Sequence, residues 1–291
     1  MSDHHKFVSS LSAEDRNQLT QTSNAKGLAR LLGYLALLVG CFAGYAAGGT
    51  IFVLPLGILL IFLFTLLHEC SHSTVFRTGF LNRLTSVICG FILFLPATWF
   101  RFFHFAHHRY THDPDKDPEL AEPKPTTWGG YLYLLTGIPV WIGQFRTLFT
   151  NALGRNNDGF VPNRQRNWIR TEAQIHILGY VLFLTLFPMW AVTFWLIPLI
   201  IGQPFLRLYL LAEHTGCPHE ADMFANTRTT FTTRIIRFIA WNMPYHAEHH
   251  AYPSVPFHQL PALHARTREY LKVTADGYTQ FHQDYHTQLK P

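Results

Sequence analysis

The chain has 291 residues, 48% of them hydrophobic and only 14% charged, against about 25% charged in an ordinary soluble domain. Its formal net charge is +5, and its four cysteines (Cys41, Cys70, Cys89, Cys217) form no Cys-x-x-Cys pair. This excludes a disulfide framework or a zinc knuckle, and no nucleic-acid partner is expected. The charge suits a cap on a membrane surface or an acidic redox partner, and equally a simple topological bias.

The first residues, MSDHHKFVSSLSAEDRNQLTQ, are polar and lack the apolar core of a signal peptide, so the N-terminus is expected in the cytoplasm. From Leu31 to Leu67 no Asp, Glu, Lys, Arg or His occurs. That run exceeds the roughly 20 residues of one span and is interrupted by Gly48-Gly49. It predicts two membrane helices, near 29–47 and 51–68. The motif HECSH (His68 to His72) closes the second. An uncharged run, Leu84–Phe100, leads to HFAHH (His104, His107, His108). A single crossing there would carry His104 to the opposite face from His68. The run is therefore expected as one interfacial or re-entrant helix, ended by Pro96 and anchored by Trp99 and Arg101. The same parity covers Thr126–Phe145.

A second greasy block, Ala173–Ala212, is broken only by His176 and Arg207 and predicts another hairpin, turning near Pro188–Thr193. His214 follows at its end. HAEHH (His246, His249, His250) then lies between Pro244 and Pro253, which bound its helix. Lys and Arg gather outside the two hairpins, placing the hydrophilic mass on the cytoplasmic face. The expected fold is an all-α integral membrane protein with four transmembrane helices in two hairpins. A cytoplasmic cap and interfacial helices carry the histidine boxes. No repeat or linker divides residues 1–291, which read as a single domain with a polar segment near 1–27 and a polar tail near 265–291. His4, His5, His282 and His286 fall in those polar ends, and His176 is expected at the membrane interface.

With 18 histidines in the chain, one His-x-x-His-His is expected roughly 0.07 times by composition, so two copies point to a metal centre. On a helix, positions i, i+3 and i+4 share a face, as do i and i+4. His68 and His72 thus project together, and each longer box offers three imidazoles in one direction. Imidazole binds Fe, Zn, Cu and Ni, so ligand type leaves the metal open. Eight imidazoles exceed one ion's needs, which makes two ions the economical reading, and His214 arrives at the same face as a ninth. The run HDPDKDPE (112–119) reads first as a solvated turn. Asp113, Asp117, Glu213 and Glu248 are nevertheless candidates to orient ligating imidazoles, because bound histidines donate their other N–H.

These boxes, in this order and spacing, resemble the membrane fatty acid desaturase superfamily, with its related hydroxylases and ketolases, over roughly residues 55–262. The first box is similar to the HECGH of acyl-lipid members. The resemblance implies two irons held by His68, His72, His104, His107, His108, His214, His246, His249 and His250, with O2 as co-substrate. It implies a double bond introduced into a fatty acyl or other lipid-like chain. The electron donor would be a separate protein of ferredoxin, rubredoxin or cytochrome b5 type, since no His-Pro-Gly-Gly or nucleotide-binding glycine motif occurs here. The site would lie on the cytoplasmic side of a bacterial inner membrane. Leu210 stands where acyl-CoA members carry an asparagine one turn before the lone histidine, so a water-mediated contact there is not expected. Hydroxylation or ketolation of a fatty or carotenoid substrate, or desaturation of a small specialised metabolite, uses the same boxes. HECSH also satisfies His-Glu-x-x-His, in which Glu69 would be the base of a membrane zinc protease, but that reading leaves six box histidines unused. A metal transporter would hold its site at mid-membrane rather than at span ends.

Overall fold

The computed structural model describes residues 2–291, most of which are helical. Helices α1 (Asp3–Ser10) and α2 (Ala13–Leu19) precede α3 (Asn24–Ala46) and α4 (Val53–Ser71). Ser23 caps α3 by accepting from the Lys26 amide. Gly48, at φ +92°, reverses the chain into the short turn Thr50–Phe52, matching the expected break between the first two spans.

Helix α5 (Gly79–Ile92) meets α6 (Ala97–Tyr110) at an angle of 101°. The interfacial or re-entrant helix expected to end at Pro96 stops just before it, and the chain bends at Leu93–Pro96 into a second helix. Two features cause the break. Pro96 has no N–H to continue α5, and the carboxylate of Glu172 caps the new helix, accepting from the Ala97 amide (2.9 Å) and the Thr98 amide (3.1 Å). Trp99 does anchor the segment, donating to Asp158 (2.7 Å), and Arg101 donates to Ser73 (3.0 Å). Helices α7 (Trp128–Leu135) and α8 (Ile138–Ala152) follow, turning at Gly137, where φ is +73°.

Helix α9 (Asn163–Leu186) leads to α10 (Pro188–Ala191), a π turn at Val192–Leu196, and α11 (Ile197–His214). The chain folds back here, with the Tyr180 and Trp195 rings 5.8 Å apart. Three stretches are long and apolar enough to cross a membrane: Ala13–Ala46, Thr50–Ser71 and Pro188–His214. The bent pair α5–α6 makes a fourth if it counts as one span. The expected third span, from Ala173, does not reach that measure. The first turns of α9 carry Arg164, Arg166 and Arg170, and its apolar part spans only about 20 Å of a roughly 30 Å hydrocarbon core. Its outer face is nonetheless apolar, with Leu178 68% exposed.

The centre of the molecule is the pair α4 and α11, which cross at two glycines. A Cβ on Gly57 would meet the Pro198 carbonyl oxygen at 2.3 Å, and one on Gly202 would meet the Gly57 carbonyl at 2.2 Å. Such small-residue contacts let helix backbones approach within a membrane. The two helices run the same way from this crossing, with the Phe62 and Tyr209 rings 5.2 Å apart further along. His68 and His214 therefore emerge at the same end.

Beyond α11 come α12 (Met223–Asn226), α13 (Arg234–Ile239), α14 (His246–Ala251), α15 (Leu260–Thr267) and α16 (Tyr278–His286). Strands β1 (Thr229–Thr230) and β2 (Thr274–Ala275) pair in parallel, Thr229 opposite Thr274. The polar ends are docked rather than loose. His4 is buried, its amide and ring both reaching Asp222 Oδ1 (3.1 and 3.0 Å). His282 Nε2 donates to the Leu208 carbonyl (2.9 Å), and the Trp128 amide donates to the Lys290 carbonyl (2.9 Å). His176, expected at the interface, is buried beside Tyr180.

Gly202→Val should disrupt the α4–α11 crossing and destabilise the protein by about 3 kcal/mol or more. Gly40→Ala, whose Cβ meets nothing within 4 Å, should stay within about 0.5 kcal/mol of the parent. Thermal unfolding of the detergent-solubilised proteins measures both, and equal melting temperatures would refute the close-packing account.

Candidate metal centre

All nine predicted histidines meet below the ends of α4 and α11. His68 lies in the last turn of α4 and His72 just after it; α6 carries His104, His107 and His108, and α14 carries His246, His249 and His250. Pro244 and Pro253 bracket α14 as the sequence implied. Two groups form. In the first, one ring nitrogen from each of His68, His72, His104, His108 and His249 lies within 4.8 Å of all the others. His107, His214 and His250 make the second. His246 joins the two: its Nε2 is 3.1 Å from His214 Nε2, and its ring centroid is 6.0 Å from that of His68.

The protonation chemistry of this cluster tests whether metal ions fit. A neutral imidazole has one N–H and one lone pair. Burial, reinforced by neighbouring imidazoles, holds His246, His249 and His250 well below the usual histidine range, in the neutral form that binds metals. Both ring nitrogens of His108 and His249 are buried without any partner, as are His68 Nδ1, His246 Nδ1 and His250 Nε2. An imidazole left so is costly, and a cation accepting the lone pairs removes that cost. The residues fit a metal pair.

Outer contacts orient the rings. His107 Nδ1 donates to Asp117 Oδ1 (3.0 Å), and Asp117 also accepts from the amides of His112 (2.9 Å) and Glu119 (3.0 Å). This aims His107 Nε2 at His214 Nε2, 3.2 Å away. His214 Nδ1 donates to the Asn226 carbonyl (3.3 Å), and His250 Nδ1 pairs with the Thr111 hydroxyl (3.2 Å). Asp117 thus holds the role proposed for it, and Glu213 approaches His246 Nε2 at 3.6 Å. Asp113 does not: it turns outward to Lys116. Glu248 points away from the centre, to His264 Nδ1 and the Thr229 hydroxyl. Glu119, read in sequence as part of a solvated turn, instead brings Oε2 to 3.3 Å from His107 Nε2. Its position in an Asp- and Pro-rich run just after a box was the only signal.

Glu69, the would-be protease base, is fully buried and faces elsewhere. Its Oε1 accepts from the Thr74 hydroxyl (2.7 Å) and the Phe257 amide (2.9 Å), tying the first box to the chain beyond the third.

Two openings reach the histidines. A cavity of about 470 Å³ is walled by Phe64, Leu95, Phe100, Phe103 and Leu210 and ends on His68, His104, His107 and His246. On the other side, an open cleft of about 880 Å³ between α1, α6 and the 219–223 segment reaches His72, His108 and His250.

A family model described as fatty acid desaturase matches residues 42–282. The chain belongs to the fatty acid desaturase family. Among curated relatives of this desaturase-family protein is an sn-1 oleoyl-lipid 12-desaturase of Picosynechococcus sp., 28% identical over 65% of this chain and 58% of its own length. A rat sphingolipid delta(4)-desaturase/C4-monooxygenase is 27% identical over 70% of this chain and 61% of its own. A dihydrorhizobitoxine desaturase of Bradyrhizobium elkanii is 25% identical over 76% and 70%. The chain thus spans about three fifths of the length of the lipid-acting relatives it matches. Like the histidine clusters, the long apolar helices fit a membrane member of the family.

Asp117→Ala should release the His107 ring and weaken metal binding by about 10- to 100-fold while leaving the helices intact. Metal content after dialysis against a graded chelator series measures this, and retention equal to the parent would remove Asp117 from its orienting role.

Proposed function

We propose that this protein is an O2-dependent oxidoreductase that introduces a double bond into an aliphatic chain, using two irons held by the eight box histidines and His214. The observation that carries this reading is the meeting of three distant histidine boxes and His214 beside an aromatic-walled cavity. Iron bound there would supply the oxidising power, with O2, to remove hydrogen from an unactivated C–H bond. The reaction balances as R–CH2–CH2–R′ + O2 + 2 electrons + 2 H⁺ → R–CH=CH–R′ + 2 H2O.

The chain's own residues have the remaining tasks. Phe64, Phe100, Phe103 and Leu210 line the approach, hold an alkyl chain straight against the histidines and exclude water from the attacked carbons. Asp117, the Asn226 carbonyl and Thr111 keep imidazole orientation constant through turnover. Leu210 adds apolar wall. The cleft on the opposite side suits a separate electron-donor protein of ferredoxin, rubredoxin or cytochrome b5 type. Imidazole edges at its floor offer a short path for electrons. The Lys and Arg distribution supports a centre on the cytoplasmic side of a bacterial membrane.

The sphingolipid relative's name joins desaturation with C4 monooxygenation, which favours hydroxylation as the second reading of the same centre. The dihydrorhizobitoxine relative similarly favours a small metabolite as the alternative to a lipid chain. The zinc-protease reading has little support, since Glu69 is committed to Thr74 and Phe257.

Purified protein should contain close to two irons per chain, and one zinc in their place overturns the proposal. Mass spectrometry of the product should show the loss of two hydrogens, whereas a gain of one oxygen establishes the hydroxylase. His249→Ala should lose iron and at least about 10³-fold of activity, whereas Glu69→Gln should retain much of it. Abolition of activity by Glu69→Gln with metal content unchanged would favour a protease-type base.

A further inference from the structure

The cavity beside the histidines is not apolar throughout. Arg207 lies on α11, within the apolar stretch Pro188–His214, and lines that cavity. Arginine stays ionised at any working pH and presents five N–H donors. A charge at membrane depth is costly unless paired, and such residues mark functional sites. Among the described residues, however, no carboxylate comes within 4.0 Å of this guanidinium, and its Nε is buried with no acceptor.

Acidic side chains that line the same cavity include Glu119, Glu122 and Glu213. Glu119 is paired with Lys124 at 2.5 Å and lies against His107, Glu213 lies against His246, and Glu122 is exposed. Among the described residues Glu122 has no partner of its own and lines the same cavity, but its carboxylate stays more than 4.0 Å from the Arg207 guanidinium. Gln144 of α8 lines the same cavity, and its side-chain oxygen is also buried without a partner. A half-turn of the amide lets Gln144 present its NH2 to an incoming acceptor. Two unsatisfied polar groups thus line the same cavity as Phe64, Phe100 and Phe103, in company with Lys124 and the carboxylates of the three glutamates and Asp158.

We propose that Arg207, assisted by Gln144, binds the anionic end of the substrate, and that the substrate is a single-chain amphiphile ending in a free carboxylate. This rests on the oxidoreductase reading and narrows it, because a carotenoid or another wholly apolar chain leaves the arginine unpaired. A guanidinium accepts a carboxylate through two parallel hydrogen bonds, so the anchor sets the orientation of the chain as well as its affinity. A phospholipid phosphate offers related chemistry, and the experiment separates the two sources.

Trp99 lines the same cavity and serves as a reporter, because bromine on a nearby chain quenches indole fluorescence. The full-length protein in detergent is titrated with 12-bromododecanoic acid, 12-bromododecanol and a brominated phosphatidylglycerol, and Trp99→Phe identifies the signal of this cavity. The acid should bind at least about tenfold more tightly than the alcohol, as expected for a charge-assisted pair. Arg207→Gln should abolish that preference and Arg207→Lys should restore part of it, while Gln144→Ala should weaken the acid alone. Equal binding of acid and alcohol by the parent protein overturns the proposal without any variant having to fold. So does acid binding unchanged in Arg207→Gln, or a phosphatidylglycerol that binds more tightly than the acid. Binding is read here without turnover. Failure of the oxidoreductase reading would appear separately, in metal content and product mass.

Discussion

Neutral imidazoles packed against one another cannot satisfy themselves, because each brings one proton and one lone pair and the rings cannot all alternate. In this protein nine of them converge, and several buried ring nitrogens face neither donor nor acceptor. Desolvation forbids the obvious escape, protonation, since clustered imidazolium ions would repel one another in a buried site. A cation that takes the lone pairs is the remaining solution. The rest of the architecture can be understood as what is needed to bring these rings together and keep water away.

Three devices accomplish that. The glycine crossing of α4 and α11 lets two backbones approach, so that His68 and His214 emerge side by side. The break at Leu93–Pro96, capped by Glu172, turns α6 back so that its three histidines lie under the end of α4 instead of continuing away from it. Glu69 binds the Phe257 amide and thereby ties the segment following α14 to the helix of the first box. Each is a short-range interaction with a long-range result: the histidines come from positions far apart in sequence, and no single helix could supply them.

Much of the centre was legible in the sequence because histidine is rare, and its helical spacing in HFAHH and HAEHH states which rings share a face. The first two spans were legible from an uninterrupted apolar run, and the family from the order of the boxes. What escaped shares a physical cause. The second hydrophobic block read as a hairpin starting at Ala173, but hydropathy did not show that its first helix begins at Asn163, with arginines in its first turns and a short apolar half. Pro96 marked the break inside 84–100, but the carboxylate from residue 172 that caps the following helix shows in no local pattern. His4 and His282 read as tail residues since their partners, Asp222 and the Leu208 carbonyl, are distant in sequence. Glu119 and Glu248 exchanged expected roles for the same reason: the direction in which a turn aims its carboxylates is a tertiary property.

The cleft at His72, His108 and His250 lies opposite the aromatic cavity, so the cluster has two doors rather than one. Under the proposed function, ions from the aqueous phase would reach the histidines without passing through the lane proposed for an alkyl chain. Metallation would then be able to follow folding of the polypeptide, and a damaged centre to be refilled without dismantling the helices around it.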